Sequence, residues 1–345
     1  MTVSLGSVGP SDASEDRTRD AADALVRGTD ARHGAHHDGR TTTDLELYTR
    51  TAEDSAARVI RGYSTSFGAA VRLLAPEYRT GVTSVYALVR VADELVDGAA
   101  EQAGLLLEAQ RAALDELESE TEHAMTCGFS PNLVVHAFAR TATRAGIGRD
   151  LTAPFFASMR ADLESARYTG SELDAYIYGS AEVVGLMCLR VFLAEAPQAE
   201  RPDPATCGRL ADGARRLGAA FQKVNFLRDL GSDVADRGRE YFVGAAGDGI
   251  TEELKHQLIV EIDADLSAAA VVIPELPAGC RTAVGVAHDL FAALCRRIER
   301  TPAEELMRVR VRVPDVQKLA ILLRAISVRN GRGAASRRPL PRIAR

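Results

Sequence analysis

A chain of 345 residues, 46% of them hydrophobic and 26% charged, is long enough to bury one large core or two smaller ones. Its net charge of −6 argues against a nucleic-acid binder held by bulk charge, because neutralising phosphates requires a basic face. Ala, Leu, Val, Arg and Glu dominate and Trp is absent, a composition that suits helix better than sheet.

Residues 1–50 are rich in Asp, Arg, Gly, Ser, Thr and His without sustained apolar periodicity, and read as a disordered extension. His33, His36 and His37 lie in it and read as part of a solvated polar tail rather than a metal site. From about Leu45 the pattern turns helical. Segments with helical period are expected near 52–62, 77–97, 100–126, 131–145, 151–166, 171–195, 204–236, 251–273, 279–300 and 315–329, with breaks where Gly or Pro cluster. Nothing alternates with period two for long enough to demand a sheet. The expected organisation is a single all-α domain over 51–330, followed by a flexible, Arg-rich tail at 331–345. The cysteines Cys127, Cys188, Cys207, Cys280 and Cys295 are scattered and show no C-x-x-C spacing, so they read as reduced, buried thiols. No apolar run is read as approaching the roughly 18 residues that span a bilayer, and the polar N-terminus has no secretory h-region. The default location is therefore cytoplasmic.

Two acidic rows stand out. Residues 85–97 read Val-Tyr-Ala-Leu-Val-Arg-Val-Ala-Asp-Glu-Leu-Val-Asp, and on a helix Tyr86, Arg90, Asp93 and Asp97 share one stripe beside an apolar one. Asp93 and Asp97 would then sit one turn apart. Two such carboxylates repel unless a cation lies between them, and hard oxygen ligands suit Mg²⁺, with Mn²⁺ as a substitute. In the second row, Gln222, Asn225, Asp229 and Asp233 recur at spacings of three, four and four, while Val224, Leu227, Leu230 and Val234 fall on the core side. Arg228 and Arg239 bracket these acids and suit an anion held beside metals; Tyr241 follows as a further substrate-binding candidate. Two helices presenting such rows across one cavity would be acidic at the rim and greasy below. That arrangement suits a ligand with a multiply charged head and a long hydrocarbon tail. A diphosphate cannot approach four aspartates without bridging cations, because like charges would cost several kcal/mol at an effective dielectric near 20.

With these rows on the page, the chain resembles the squalene and phytoene synthases over roughly residues 52–330. The resemblance rests on Ser-Thr-Ser-Phe at 64–67, Tyr-x-x-x-Arg-x-x-Asp-x-x-x-Asp at 86–97, and Met159, Asp162 and Tyr168. It continues through Tyr-Ile-Tyr-Gly-Ser-Ala-Glu-Val-Val-Gly-Leu-Met at 176–187, Gln-x-x-Asn-x-x-Arg-Asp-x-x-x-Asp at 222–233 and Arg-Val-Arg-Val-Pro-Asp-Val-Gln-Lys at 310–318. Tyr63, where many relatives have His, and Glu182, often Gly, depart from the pattern. The resemblance implies a helical isoprenoid-synthase fold around a central cavity. It implies that Asp93, Asp97, Asp229 and Asp233 hold Mg²⁺ together with Asn225, that Gln222 lines the site, and that Arg90 and Arg228 grip diphosphate. Ser66 and Phe67 match a substrate-contacting turn, and Tyr176 matches a tyrosine near the reacting carbons. The implied activity is head-to-head coupling of two geranylgeranyl diphosphates through a cyclopropyl diphosphate to phytoene. Squalene or dehydrosqualene formation from farnesyl diphosphate is the alternative, and a non-catalytic helical assembly factor is the reading of another class. Beyond prenyl diphosphates, the only partner expected is a weak peripheral contact with the inner membrane face through the arginines after Arg329. No nucleic acid is expected, and the sequence specifies no oligomeric state.

Overall fold

A computed structural model describes residues 42–164, 168, 170–237 and 250–336, and within these it does not describe the side chains of 65, 66, 232–237 and 326–336. The expectations placed on residues 1–41, including the three histidines, on Arg239 and Tyr241, and on 337–345 lie outside the described residues. The chain divides into a short unit ending at Glu46 and a main unit from Leu47 onward.

Among the described residues the regular structure is helical and contains no strand. In chain order the helices are α1 (Asp44–Tyr63), α2 (Thr65–Leu73), α3 (Pro76–Val96), α4 (Ala99–Gln102), α5 (Leu107–Cys127), α6 (Leu133–Ala145) and α7 (Arg149–Glu164). They continue with α8 (Gly170–Ile177), α9 (Val183–Glu195), α10 (Pro204–Arg237), α11 (Glu252–Val272), α12 (Ala278–Arg300), α13 (Ala303–Leu306) and α14 (Asp315–Ser336). Their ends follow local chemistry. The Asn132 side chain accepts from the amides of Val134 and Val135 at 3.1 and 3.4 Å, and Thr251 accepts from Leu254 at 3.1 Å, each meeting an amide that the helix itself leaves open. Gly128 closes α5 at φ 81°, a left-handed value that a side chain would resist.

Three findings correct the reading of the sequence. Helix starts at Asp44, as the helical pattern from about Leu45 anticipates but inside the stretch assigned to the extension, and α14 runs on to Ser336, inside the stretch assigned to the tail. Ser66 and Phe67, expected in a substrate-contacting turn, lie instead in the first turn of α2, which Ser64 caps by accepting from the Phe67 amide at 3.1 Å. The third concerns α8 and α9, which join through a π-type turn at Tyr178–Glu182 into one helix, Gly170–Glu195. This 26-residue segment, of mean hydropathy 1.6 over its most apolar window, is long and apolar enough to cross a membrane. Counting uninterrupted apolar residues missed it, because Gly, Ser and Glu182 break the run without removing its average hydropathy. Here its faces are used within the bundle, against α3, α6, α7 and α10. The cysteine reading also needs adjustment: Cys280 and Cys295 are buried, Cys188 and Cys207 are half-buried, and Cys127 is exposed.

Two of the core regions of the main unit position the site. One gathers Leu88, Leu114, Phe138, Phe155, Phe156 and Met187 from α3, α5, α6, α7 and α9. The other gathers Leu227, Leu230, Ile262 and Ile298 from α10, α11 and α12. They meet where α9 and the π-type turn approach α10 so closely that only glycine fits. A Cβ on Gly185 would lie 2.5 Å from the Ala214 carbonyl oxygen, and one on Gly218 would lie 2.5 Å from that of Ala181. Gly218→Val is therefore expected to destabilise the fold by about 2–3 kcal/mol. Gly208→Ala, on an exposed helical face with open space around it, is expected to stabilise by about 0.5–1 kcal/mol. Urea unfolding monitored by circular dichroism checks both, and equal midpoints would show that this helix contact is not tight.

Candidate active site

A cavity of roughly 280 Å³ is walled by α2, α3, the Gly170–Glu195 helix, α10, α11 and α12. No residue lining it carries a charge. Leu74, Leu189, Phe192, Leu210 and Leu276 pack together around one end. Away from that end sits an aromatic group: Phe221 stacks on Phe291 with ring centroids 3.7 Å apart, and Phe67 lies 6.1 and 6.0 Å from the two. The polar side chains in the wall are Ser180, Gln222 and Asn225, besides the thiol of Cys188. Ser180 Oγ and Asn225 Oδ1 are both buried and make no hydrogen bond to any described residue. Leaving such atoms unmatched is unfavourable, so a polar partner in the cavity would be stabilised there.

The two acidic rows continue the faces that line this cavity. On α3, Val82 packs at the leucine-rich end, Tyr86 lies 6.5 Å from Phe67, and Val89 lines the wall. Asp93 follows one turn later on the same face. On α10, Leu210 packs at that same end, Phe221 meets Phe67, and Gln222 and Asn225 line the wall. Asp229 follows one turn after Asn225. The two helices therefore run in the same sense along the cavity, and both acid rows lie past its aromatic end. Asp233 belongs to the next turn of α10, and its side chain lies outside the described residues.

Each described row is held by arginine. Arg90 pairs with Asp93 at 2.6 Å and with Glu94, and its guanidinium lies 4.4 Å from the centre of the Tyr63 ring. Burial alone would pull the Arg90 pKa down, but the carboxylates of Asp93 and Glu94 outweigh it and the net shift is upward. Burial raises the pKa of Tyr86. Asp229 accepts from Arg228 Nε at 3.1 Å and from Arg310 Nε at 2.7 Å. Asp97 departs from expectation. α3 ends at Val96, and Asp97 has φ −141° and ψ 44°, so it steps out of the helix that was to place it beside Asp93. The reason is the next residue: Gly98 turns the chain at φ 144°, a conformation open chiefly to glycine.

Other candidates are distributed unequally. Phe67 lines the cavity, whereas Ser66 is placed only as a backbone position in α2. Tyr176 is not in the wall. Its hydroxyl donates to Asp162 Oδ2 at 3.0 Å, and its ring packs 4.8 Å from Tyr168 and 5.9 Å from Phe226. Reading the sequence gave no role to Ser180, Phe221, Phe291 or Arg310. Arg310 stood in a quoted motif, but nothing local shows that it reaches Asp229, 81 residues away. Glu182 forms an ion pair with Arg215 at 2.7 Å. Among the described residues, no three Asp, Glu, His or Cys side chains gather closely enough to hold a metal ion.

Comparison with known proteins adds three findings. The family model described as squalene/phytoene synthase matches residues 60–317. Phytoene synthase 1, chloroplastic, of Solanum lycopersicum is 32% identical over 191 residues, which is 55% of this chain and 43% of that one. Phytoene synthase 3, chloroplastic, of Zea mays is 34% identical over 194 residues, 56% of this chain and 42% of that one. The matching segment thus spans less than half the length of these relatives. Among solved structures, a dehydrosqualene synthase in complex with ligand superposes with a TM-score of 0.65 at 21% identity, covering 84% of this chain and all of that one. A squalene synthase from Alicyclobacillus acidocaldarius gives 0.61 at 19% identity, over 74% and 97% of the two chains. The all-helical isoprenoid-synthase fold expected from the sequence is the fold observed.

Cys188 gives a direct probe of the cavity. Desolvation in the apolar wall pushes its thiol up to about 12, so at pH 8 little of it is thiolate, the reactive form. Iodoacetamide at pH 8 is expected to alkylate exposed Cys127 at least about 100-fold faster than Cys188, read by peptide mass spectrometry. Equal rates would show that solvent reaches the cavity wall freely.

Proposed function

This chain belongs to the squalene/phytoene synthase family, and from that premise we propose that it is a prenyltransferase coupling two prenyl diphosphates head to head. The favoured substrate is geranylgeranyl diphosphate and the product phytoene. The observation that carries the reading is the uncharged cavity whose two lining helices each lead into a row of acids. The identity with phytoene synthases supports the choice of product. Farnesyl diphosphate with a C30 product is the alternative.

Mg²⁺ suits the proposed site. The candidate donors Asp93, Asp97, Asn225, Asp229 and Asp233 present only hard oxygen atoms, and Asn225 Oδ1 is buried without a partner. When bound, the metal supplies Lewis-acid stabilisation of the departing diphosphate. The chain's own residues do the rest. Arg90, Arg228 and Arg310, which now neutralise carboxylates, are placed to turn toward phosphate oxygens and hold the leaving group. Phe67 and Phe221, which line the cavity, offer aromatic rings near the allylic carbons, where a developing cation is attracted by the ring quadrupole. The apolar wall excludes water, which would otherwise trap that cation as an alcohol. The double bond of the second substrate attacks the cation, and proton loss closes a cyclopropane that still bears a diphosphate. A second ionisation releases the remaining diphosphate and rearranges the ring, and loss of a proton from the resulting cation gives the coupled hydrocarbon. The Tyr176 hydroxyl donates to Asp162, so in this arrangement it acts as a hydrogen-bond donor and a positioning group rather than as the base.

The purified protein incubated with geranylgeranyl diphosphate and Mg²⁺ is expected to yield a C40 hydrocarbon, identified by mass, in preference to a C30 product from farnesyl diphosphate. Asp229→Asn is expected to lower kcat by about 10³-fold, the scale of removing one strong electrostatic contact, with an unchanged circular dichroism spectrum. Wild-type turnover in that variant would remove Asp229 from the site, and free prenyl alcohol as sole product would make the protein a hydrolase.

A further inference from the structure

Beside the first acid row, one aromatic ring packs on a charge instead of on the core. Tyr63 ends α1, and its ring lies with its centre 4.4 Å from the Arg90 guanidinium carbon. The backbone around Tyr63 is fixed. The Ser64 amide donates to the carbonyl of buried Ile60 at 3.0 Å, and Ser64 caps α2, which carries Phe67 into the cavity wall. The Tyr63 side chain nevertheless leaves the residue 53% exposed. It therefore adds little to the core, and the contact with Arg90 is the one to explain.

Arg90 is engaged unevenly. One terminal nitrogen pairs with Asp93 at 2.6 Å and the other with Glu94, whereas Nε is buried and meets no acceptor among the described residues. Leaving that donor unmatched is unfavourable, so an oxygen arriving with a ligand would be stabilised on it. Nε and a terminal nitrogen together form an edge that grips two oxygens of a phosphate. To present that edge, Arg90 must let go of at least one carboxylate. A long side chain released in this way samples many rotamers, and ordering it again weakens the grip. Contact with Tyr63 offsets that loss. A ring face attracts the cation without supplying a hydrogen-bond acceptor, so it need occupy none of the N–H donors. A carboxylate at position 63 would instead compete with phosphate for them. The ring contact can persist while the donors change partners.

We propose, on the reading of the site given above, that Tyr63 is a positioning residue: its ring is the pivot on which the Arg90 guanidinium turns from Asp93 and Glu94 to the oxygens of a diphosphate. Tyr63 acts through Arg90 and need not touch the substrate itself.

The test is titration calorimetry of the full-length protein with inorganic pyrophosphate and Mg²⁺. Tyr63→Leu, which removes the ring face, is expected to raise the pyrophosphate Kd about fivefold, the scale of one partly exposed cation–π contact. Tyr63→Phe keeps the face and is expected to stay within about twofold of wild type. In an Arg90→Gln background, Arg228 and Arg310 are left to hold the anion. There Tyr63→Leu is expected to change the Kd by less than about 1.5-fold, because the ring has no cation to position. The melting temperature is expected to be unchanged by either Tyr63 substitution. Equal affinity of Tyr63→Leu and wild type would overturn the proposal, as would a loss that persists without Arg90 or that Phe fails to rescue. A fall in melting temperature that tracks the loss of affinity would assign the ring to the fold instead. Wild-type protein that binds no pyrophosphate would overturn the reading of the site as well, which separates the two failures.

Discussion

Carboxylates beside an apolar cavity are tolerable only when positive charge lies against them, and this requirement organises the polar end of the molecule. Two like charges 4 Å apart repel by about 4 kcal/mol at an effective dielectric near 20. The chain meets the demand with guanidinium groups: Arg90 on Asp93 and Glu94, Arg228 and Arg310 on Asp229. Those groups are themselves positioned, Arg90 by lying over the Tyr63 ring and Arg310 by its place in the segment joining α13 to α14. On the proposed reading, the same guanidiniums exchange carboxylate oxygens for phosphate oxygens when substrate and cations arrive together. Local charge then stays balanced before and after binding, and no step leaves an isolated ion at the edge of the cavity.

A second constraint is steric. For α3 and α10 to flank one cavity, the helix between them must lie close to α10, and Gly185 and Gly218 allow backbone to meet backbone there. The π-type turn at Tyr178–Glu182 stands at that contact. An extra residue in the helical register rotates the side chains that follow, so Ser180 and Ala181 share the wall with Val184, Gly185 and Cys188. Glu182, the departure from the family pattern noted in the sequence, pairs with Arg215 on α10 and ties the turn to its neighbour. The departure thus reads as a local anchor between two helices that already touch.

Much of this was legible before the fold was known, and what was legible depended on periodicity. The long helices carry a strong 3.6-residue pattern, so α3, α6, α10, α11 and α12 fall within a few residues of expectation. The two rows of the candidate site were readable for the same reason: Tyr86 with Asp93, and Gln222 with Asn225 and Asp229, are neighbours on single helices. What escaped was non-local or conformational. Nothing near Arg310 tells that it reaches Asp229. Neither does the helical pattern through Asp97 reveal that Gly98 ends α3 one residue early. The π-type turn is invisible to a pattern of constant pitch, whereas the helical period expected at 315–329 anticipates most of α14.

The chemistry proposed for the cavity makes sense of its composition in one further respect. A carbocation reacts with whatever nucleophile it meets, so a wall meant to hold one must be poor in available lone pairs. The polar atoms present here are a hydroxyl and two side-chain amides, groups that offer dipoles without the reactivity of an amine or a carboxylate. Cys188 is the exception in kind, since a thiolate would capture a cation readily. Burial that raises its thiol to about 12 keeps it protonated. The same apolar environment that excludes water therefore also disarms the one soft nucleophile in the wall. Cation survival and cavity dryness are then two consequences of one low-dielectric lining.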